Sequence, residues 1–296
     1  MALGYVRVAF AAAAAAVVTA CSGPATSAGQ QPNAGPASYY LALGDSLSQG
    51  VQPNSAGVAV ETRQGYPDQV YAALVPTHPA LHLVKLGCPG ETTNTMINGG
   101  ICHYPEGSQL AAATAFLRAH RGHVFLVTID IGANDPEECG SWASLSRVAS
   151  CFGTVAPYAA GNLATIMTRL NAAAGPGVRI VGMNYYLPAL SEWLNGTSGQ
   201  AIARLSERLA AGYNDVLERV YAASGAQVAD VFGAFDTSNF GDPVAVPEIG
   251  TVPRNVALVC QWTWACTVPP RGPNQHANEA GYGVIARAFL QAAGLN

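Results

Sequence analysis

The chain has 296 residues, of which 50% are hydrophobic and only 11% are charged. A chain of this length and composition can bury a sizeable core, as a globular protein does, and is unlike a disordered one. The formal net charge of −4, without a basic run, gives no electrostatic footprint for nucleic acid, so no nucleic-acid partner is expected.

The first 21 residues have the pattern of a targeting segment. Arg7 precedes an apolar, alanine-rich run from Val8 to Val18, which is too short to span a bilayer as a stable helix. The run ends in Val18-Thr19-Ala20-Cys21, which resembles the lipobox of bacterial lipoproteins, where the peptide is cut before a lipid-bearing cysteine. We expect an exported protein, either anchored to the cell membrane through Cys21 or secreted after cleavage of an ordinary signal peptide.

Residues 22–38 are rich in Gly, Pro, Ala, Ser, Gln and Asn, which predicts a flexible linker between the leader and the folded part. From residue 39 to residue 296 the chain shows neither an internal repeat nor a second type of composition. The sequence therefore predicts one folded domain over 39–296.

Strand-like and helix-like segments alternate along this domain. In chain order the pattern predicts a strand over 39–44, a helix over 67–74, a strand over 81–86, a helix over 108–120, a strand over 124–131, a helix over 157–174, a strand over 178–184, a helix over 200–224, a strand over 227–231 and a helix after His276. The strands are short and rich in Val, Ile and Leu, as in sheets buried on both faces. The pattern predicts a doubly wound α/β domain with a five-stranded parallel sheet between two helix layers.

The first predicted strand runs directly into Gly44-Asp45-Ser46-Leu47-Ser48-Gln49-Gly50. A strand that stops at a Gly-Asp-Ser turn can hold a serine hydroxyl at the carboxyl end of a sheet. There, main-chain N–H groups and a helix N-terminus supply positive potential for an oxyanion. A purely structural role is the alternative, because Asp and Ser are also preferred N-caps where a strand leads into a helix.

Three further segments fall where ligands of parallel sheets bind. Gly87 follows the second strand, Asn134 follows the third in Gly-Ala-Asn-Asp, and His276 precedes the last helix. A serine nucleophile needs a base and needs donors where the oxyanion forms. The sequence predicts His276 as the base for Ser46. It predicts the main-chain N–H groups of Ser46 and Gly87, with the Asn134 side-chain amide, as the donors.

This set of residues resembles the SGNH (GDSL) hydrolase family. Ser46 lies in a complete nucleophile block, Gly87 and Asn134 match the second and third blocks, and His276 matches the base of the fifth. The resemblance covers about residues 39–296 and is closest in character to secreted actinobacterial esterases and lipases, given the cysteines. It implies a flavodoxin-like fold, hydrolysis of carboxylic esters and no metal or organic cofactor.

One position departs from the family pattern. The acid that usually stands three residues before the histidine is replaced by Pro273, followed by Asn274, and no carboxylate occurs in 266–278. We therefore expect a Ser–His dyad in which a main-chain carbonyl of residues 262–272 accepts from the ring Nδ1–H of His276. Without a nearby negative charge, activity should rise with pH around or below the ordinary histidine pKa of about 6.5.

Six cysteines remain after Cys21. An even number in an exported chain predicts three disulfides, and pairing in sequence order is the simplest of the possible connectivities because each bridge closes a short loop. A zinc site is the alternative, but the chain lacks the Cys-x-x-Cys or His-x-x-x-His spacings that zinc requires. The predicted pairs are Cys88–Cys102, Cys139–Cys151 and Cys260–Cys266.

The remaining residues leave more than one role open. Asp45 and Asp135 are expected to fix their turns and not to take part in chemistry. Tyr185-Tyr186 and the segment Trp262–Trp264 are expected either to line an acyl or alcohol pocket or to pack in the core. The expected substrates are lipid or short-chain esters; the alternatives are deacetylation of cell-envelope sugars and a non-catalytic lipoprotein that binds glycans or lipids.

Overall fold

Residues 38–139 and 145–295 are described in a computed structural model of the chain. The predicted leader 1–21, with the anchor residue Cys21, lies outside these ranges, and so does the predicted linker apart from Ser38. Cleavage of the leader, attachment of a lipid and the tether therefore stay predictions from the sequence.

Five of the nine strands in the described ranges form one parallel sheet in the order β4-β1-β5-β6-β7. The strands are β1 (Ser38–Gly44), β2 (Gln52–Pro53), β3 (Ala59–Val60), β4 (Leu81–Lys85), β5 (Val124–Asp130), β6 (Arg179–Met183), β7 (Gln227–Ala229), β8 (Val244–Val246) and β9 (Gly250–Val252). The other four form two short antiparallel pairs, β2 with β3 and β8 with β9. The predicted α/β fold with a five-stranded parallel sheet is confirmed.

The helices pack in two groups. They are α1 (Tyr66–Leu74), α2 (Thr93–Asn98), α3 (Gln109–Ala119), α4 (Leu145–Ala174), α5 (Gly196–Ala223), α6 (Val231–Ala234), α7 (Arg254–Trp262) and α8 (Glu279–Ala292), with 3₁₀ helices at Asp135–Cys139 and Pro188–Asn195. Helix α3 packs on α4 and α4 packs on α5, whereas α1, α6 and α7 pack on α8. These two groups flank the sheet, as a doubly wound fold requires.

The strand order places a crevice at the end of β1. Strand β1 lies between β4 and β5, and its residues Tyr40, Leu41 and Leu43 are fully buried. After β1 the chain first adds β4 on one side of it and then returns to add β5 on the other side. The connections at this point therefore run in opposite directions. Ligands of such sheets bind at the carboxyl ends of the strands beside this switch point.

Helix α4 is longer than the sequence indicated. A start at Pro157 was expected, because proline is favoured in the first turn and disfavoured inside a helix. The helix instead begins at Leu145 and contains Pro157. The residue four positions earlier, where a proline ring crowds the helix, is Gly153, which has no side chain. The additional turns are held by the Cys139–Cys151 disulfide and by the buried Val148.

Within the described ranges, no helix combines the length and the apolar character needed to cross a bilayer. Nor does that part of the chain contain a group of three or more His, Cys, Asp or Glu side chains that could hold a metal ion.

Candidate active site

The turn after β1 is built so that Ser46 stands clear of the sheet. Gly44 has a φ of +131°, and a Cβ at this position would come within 2.1 Å of the Asp130 main-chain oxygen, so no larger residue fits. The Asp45 N–H donates to the Asp130 carbonyl at 3.1 Å, and the Asp45 carboxylate accepts from the Leu47 N–H at 2.9 Å. Asp45 thus fixes the turn, and Ser46 is left half-buried at its apex.

The folding of the chain brings His276 onto this turn from 230 residues away. The distance between Ser46 Oγ and His276 Nε2 is 2.9 Å. On the other side of the ring, His276 Nδ1 lies 2.8 Å from Asn274 Oδ1, which also accepts the His276 main-chain N–H at 3.0 Å. Because an amide oxygen only accepts, Nδ1 carries the ring proton and Nε2 is free to accept from the serine hydroxyl.

The group that orients the ring differs from the one that the sequence indicated. The prediction of a main-chain carbonyl from residues 262–272 is wrong, since the acceptor is the side chain of Asn274. The expected segment is instead bonded to the main chain of the histidine loop: the Trp264 N–H donates to the His276 carbonyl, and Trp264 O accepts the Asn274 N–H, each at 3.0 Å. An Asn side chain readily accepts the N–H two residues ahead, which places its oxygen beside the ring.

Burial decides the protonation state of His276. It lowers the pKa of the His276 imidazole from 6.5 to about 4. A neighbouring carboxylate would oppose this shift by stabilising the imidazolium, but the ring's partner is a neutral amide. The imidazole is therefore neutral at neutral pH, as a general base must be before it takes a proton.

Asn134 and Gly87 flank the serine in different ways. Asn134 lines the same cavity as Ser46 and His276, and its Nδ2 donates to the Glu91 carbonyl at 2.8 Å. A Cβ on Gly87 would lie 1.7 Å from Ser48 Oγ, so only glycine lets this loop approach the nucleophile turn. The fold thus brings all four residues predicted for the site to the carboxyl ends of β4, β1 and β5.

The cavity that opens at Ser46 has a volume of about 360 Å³ and is mainly apolar. Its wall away from the serine is made by the beginning of α4, the loop after β6 and the middle of α5. It is lined by Asp45, Ser46, Leu47, Ala133, Asn134, Pro136, Cys139, Val148, Phe152, Tyr185, Tyr186, Leu187, Pro188, Ala189, Ala210, Tyr213, Asn214, Gln275 and His276. No lysine or arginine lines it within the described ranges.

Residues 42–284 match the model of the GDSL-like Lipase/Acylhydrolase family. The chain belongs to this family. It is therefore a carboxylic ester hydrolase of the SGNH type, and the family expected from the motifs is confirmed.

Solved structures with the same fold include two esterases of low sequence identity. An extracellular lipase from Streptomyces rimosus is 19% identical, with a TM-score of 0.57 over 86% of this chain and 100% of the lipase chain. An acetylxylan esterase from Geobacillus stearothermophilus is 17% identical, with a TM-score of 0.51 over 89% of this chain and 97% of its own. At these identities the likeness concerns the fold. No curated protein matches the sequence.

A buried pair of polar side chains in this SGNH hydrolase links the serine turn to Asn134. The Gln109 side chain bonds both main-chain groups of Gly44: its Oε1 accepts the Gly44 N–H at 2.7 Å, and its Nε2 donates to the Gly44 carbonyl at 2.9 Å. The same Nε2 donates to the Glu91 carboxylate at 3.0 Å, while the Glu91 carbonyl holds the Asn134 amide. Burial raises the pKa of Glu91, an effect that hydrogen bonds with Thr95 and Gln109 oppose.

The sequence did not indicate Gln109, Glu91 or Asn274 as parts of the site. Asn274 carries a readable signal, because an asparagine two residues before a histidine can cap its N–H. Gln109 carries none, since it lies 65 residues from Gly44 at the start of α3 and looks like any polar residue of a first turn.

The aromatic residues that the sequence indicated as pocket or core residues lie in three different environments. Tyr185 and Tyr186 line the catalytic cavity. Trp262 packs edge-on against Phe235 in the interior, with ring centroids 5.1 Å apart. Trp264 lines a separate groove.

Three disulfides join Cys88 to Cys102, Cys139 to Cys151 and Cys260 to Cys266, which are the pairs expected from sequence order. Each lies beside the site: the first in the Gly87 loop, the second beneath the cavity wall, and the third around Trp264. Each closes a short loop and so restricts the unfolded chain, which stabilises the fold around the site.

Proposed function

We propose that this ester hydrolase acts through an acyl-enzyme on Ser46. As Ser46 Oγ attacks the ester carbonyl, its proton passes to His276 Nε2, and the imidazolium then protonates the departing alkoxide. A water molecule next gives a proton to His276 and attacks the acyl carbon, which releases the carboxylic acid and restores the serine. The observation that carries this proposal is the 2.9 Å contact between Ser46 Oγ and a neutral, oriented imidazole.

The oxyanion of each tetrahedral intermediate is stabilised by the main-chain N–H groups of Ser46 and Gly87 and by Nδ2 of Asn134. One Nδ2 hydrogen of Asn134 is engaged by the Glu91 carbonyl, which fixes the plane of the amide and leaves the other for the oxyanion. Donors held before the reaction need no reorganisation as charge develops, which is why they lower the barrier effectively.

The acyl group occupies the apolar cavity. A fatty-acyl chain of several carbons fits a volume of about 360 Å³ lined by Val148, Phe152, Leu187 and Tyr213, whereas an acetyl group would leave most of it empty. The lack of a basic side chain in the described lining disfavours an acid as the acyl substituent. We therefore favour lipid or medium-chain esters over acetylated sugars.

We also propose that the enzyme is exported, on the basis of the leader pattern and the three disulfides, with Cys21 as the lipid anchor. Metabolic labelling with a fatty acid tests the anchor: wild type should be labelled and a Cys21→Ser variant should not. Absence of label on the wild type would mean that the enzyme is secreted without a lipid anchor.

The substrate proposal is tested with p-nitrophenyl acetate, butyrate, octanoate and palmitate. At about 0.8 kcal/mol for each buried methylene, three or four methylenes in the cavity should raise kcat/KM from acetate to octanoate by about 10²-fold. Phe152→Ala, in the cavity wall, should reduce the increase of kcat/KM with acyl length. Tyr158→Ala, at an exposed position on the same helix, should leave that increase unchanged. A preference for acetate would favour deacetylation instead.

A further inference from the structure

A second cavity lies next to the histidine loop and is unlike the first. It is a surface groove of about 720 Å³ between the β2–β3 hairpin, the loop that contains Trp264 and the beginning of α8. Residues 275 and 276 line the catalytic cavity, and residues 278 and 279 line the groove, so one short segment contributes to both.

The floor of the groove is held rigidly. Gln52 is 5% exposed, and its Nε2 donates to Gln64 Oε1 at 3.1 Å while its Oε1 accepts from the Trp264 indole N–H at 3.4 Å. Gln64 in turn donates to the Glu279 carboxylate at 2.9 Å. The hydrogen-bonded series Trp264–Gln52–Gln64–Glu279 therefore places an indole, two carboxamides and a carboxylate along the floor of the groove.

The rim carries donors that the protein does not use. Arg271 lies over the Trp264 ring, 5.5 Å from its centroid, and forms no ion pair within the described ranges. Asn54 Oδ1 accepts the N–H groups of Ala56 and Val58. Its Nδ2 hydrogens have no hydrogen-bond partner among the residues that the structure describes.

This chemistry selects one class of ligand. An acyl chain would face carboxamides and charged groups, which are costly to desolvate without hydrogen bonds. An anion such as phosphate would meet one arginine and one carboxylate, Arg271 and Glu279, so this lining offers it no net positive charge in a protein of net charge −4. A neutral sugar satisfies both features, because its C–H face packs on an indole while its hydroxyls both donate and accept. We infer that the groove binds a neutral oligosaccharide.

Occupancy of the groove is joined to the catalytic base through the main chain. Trp264 N donates to the His276 carbonyl, and Trp264 O accepts from the Asn274 N–H, the residue that orients the imidazole. A sugar on Trp264 is therefore separated from His276 and Asn274 by one pair of main-chain hydrogen bonds. The groove would hold the enzyme on glycan while the separate apolar cavity takes the ester.

The test is a titration of the ¹⁵N-labelled full-length protein with cellohexaose and chitohexaose, followed by ¹H–¹⁵N NMR. The sugars are raised to about 10 mM, above a Kd of about 1 mM that marks weak specific binding. The indole N–H resonance of Trp264, assigned with Trp264→Phe, should shift and saturate with at least one of the two sugars. Arg271→Ala and Asn54→Ala should each weaken Kd by about threefold to tenfold, since each removes one or two hydrogen bonds.

Arg204 offers a matched control, because it lies 5.0 Å over the Trp193 ring but outside the groove. Arg204→Ala should leave the sugar Kd unchanged, and Arg271→Ala should leave turnover of p-nitrophenyl butyrate unchanged. Since neither sugar is an ester, binding is measured equally well with Ser46→Ala, whatever the fate of the proposed mechanism.

Three results would overturn the inference: no saturable shift of the Trp264 indole with either sugar, an equal loss of affinity in Arg204→Ala and Arg271→Ala, or a shift produced by inorganic phosphate or octanoate and not by sugar.

Discussion

The cavity at Ser46 and the groove share the segment 275–279 but differ in the polarity of their linings. The cavity is apolar, and its reactive groups are withdrawn from water, which lowers the pKa of His276 to about 4. In the groove most polar side chains stay exposed, and two of them, Gln64 and Glu279, bond to each other. The comparison shows that burial keeps an imidazole neutral and able to accept a proton, whereas an exposed groove leaves its polar groups hydrated.

The strongest way to separate the two regions is to remove the nucleophile. Ser46→Ala should lower kcat by about 10⁴-fold or more, because both chemical steps pass through this oxygen. Labelling by a fluorophosphonate should disappear, and the sugar-induced shift of Trp264 should persist. Labelling at the wild-type level in Ser46→Ala would mean that another serine is the nucleophile.

The next effect concerns the oxyanion. Asn134→Ala should lower kcat by about 10²–10³-fold, as loss of one oxyanion donor does, with KM nearly unchanged. Steady-state kinetics with p-nitrophenyl butyrate measure both constants. A raised KM with a normal kcat would assign Asn134 to substrate binding and would weaken the contrast between a reactive cavity and a binding groove.

The orientation of the base gives a pH signature. In the wild type, kcat/KM should rise through pH 4 and be level by neutral pH, since the imidazole must be neutral to act. Asn274→Asp places a negative charge beside the ring, stabilises the imidazolium and so raises the pKa of His276, moving the rise about one to three pH units higher. Asn274→Ala should lower kcat by about 10–10²-fold, because the ring loses the acceptor that fixes its tautomer. An unchanged pH profile in Asn274→Asp would contradict the geometry.

The smallest effect is expected at Glu91, which acts through the residues it holds. Glu91→Gln should lower kcat by about tenfold without changing KM, because a neutral amide holds Gln109 less firmly than the carboxylate does, and the Glu91 main-chain carbonyl that orients Asn134 then shifts. In an Asn134→Ala background the same change should cost much less, since coupled residues are not additive. The exposed Glu61→Gln serves as the control. Full additivity would show that Glu91 does not work through Asn134.

Much of the fold could be read from the chain because its strands carry a local signal. Predicted and observed strands differ by at most two residues at either end, since continuous Val, Ile and Leu runs bounded by Gly mark strands buried on both faces. The short pairs β2–β3 and β8–β9 and the helices α2, α6 and α7 were missed. They consist of two to nine residues with a mixed pattern, and their stability comes from neighbours distant in sequence.

Two carboxamide side chains show what local patterns cannot reveal. Gln109 holds both main-chain groups of Gly44, and Asn214 holds those of Tyr185 in the same manner, at 3.0 and 2.9 Å. Each bonds both main-chain groups of a residue beside the site. Nothing near either residue in the sequence distinguishes it from an ordinary helix residue, because its role depends on a contact 65 or 29 residues away.

The sequence by itself determined the family, the doubly wound class of the five-stranded parallel sheet, and the four residues proposed for chemistry, because each of these residues belongs to a short motif with its own turn geometry. Only the tertiary structure decided what surrounds them: that Asn274 and not a main-chain carbonyl orients His276, that the cavity at Ser46 is apolar, and that Trp264 belongs to a separate polar groove. These depend on which surfaces the packed helices and loops bring together. Burial, which sets both the pKa of the base and the chemistry of each cavity, is a property of that packing.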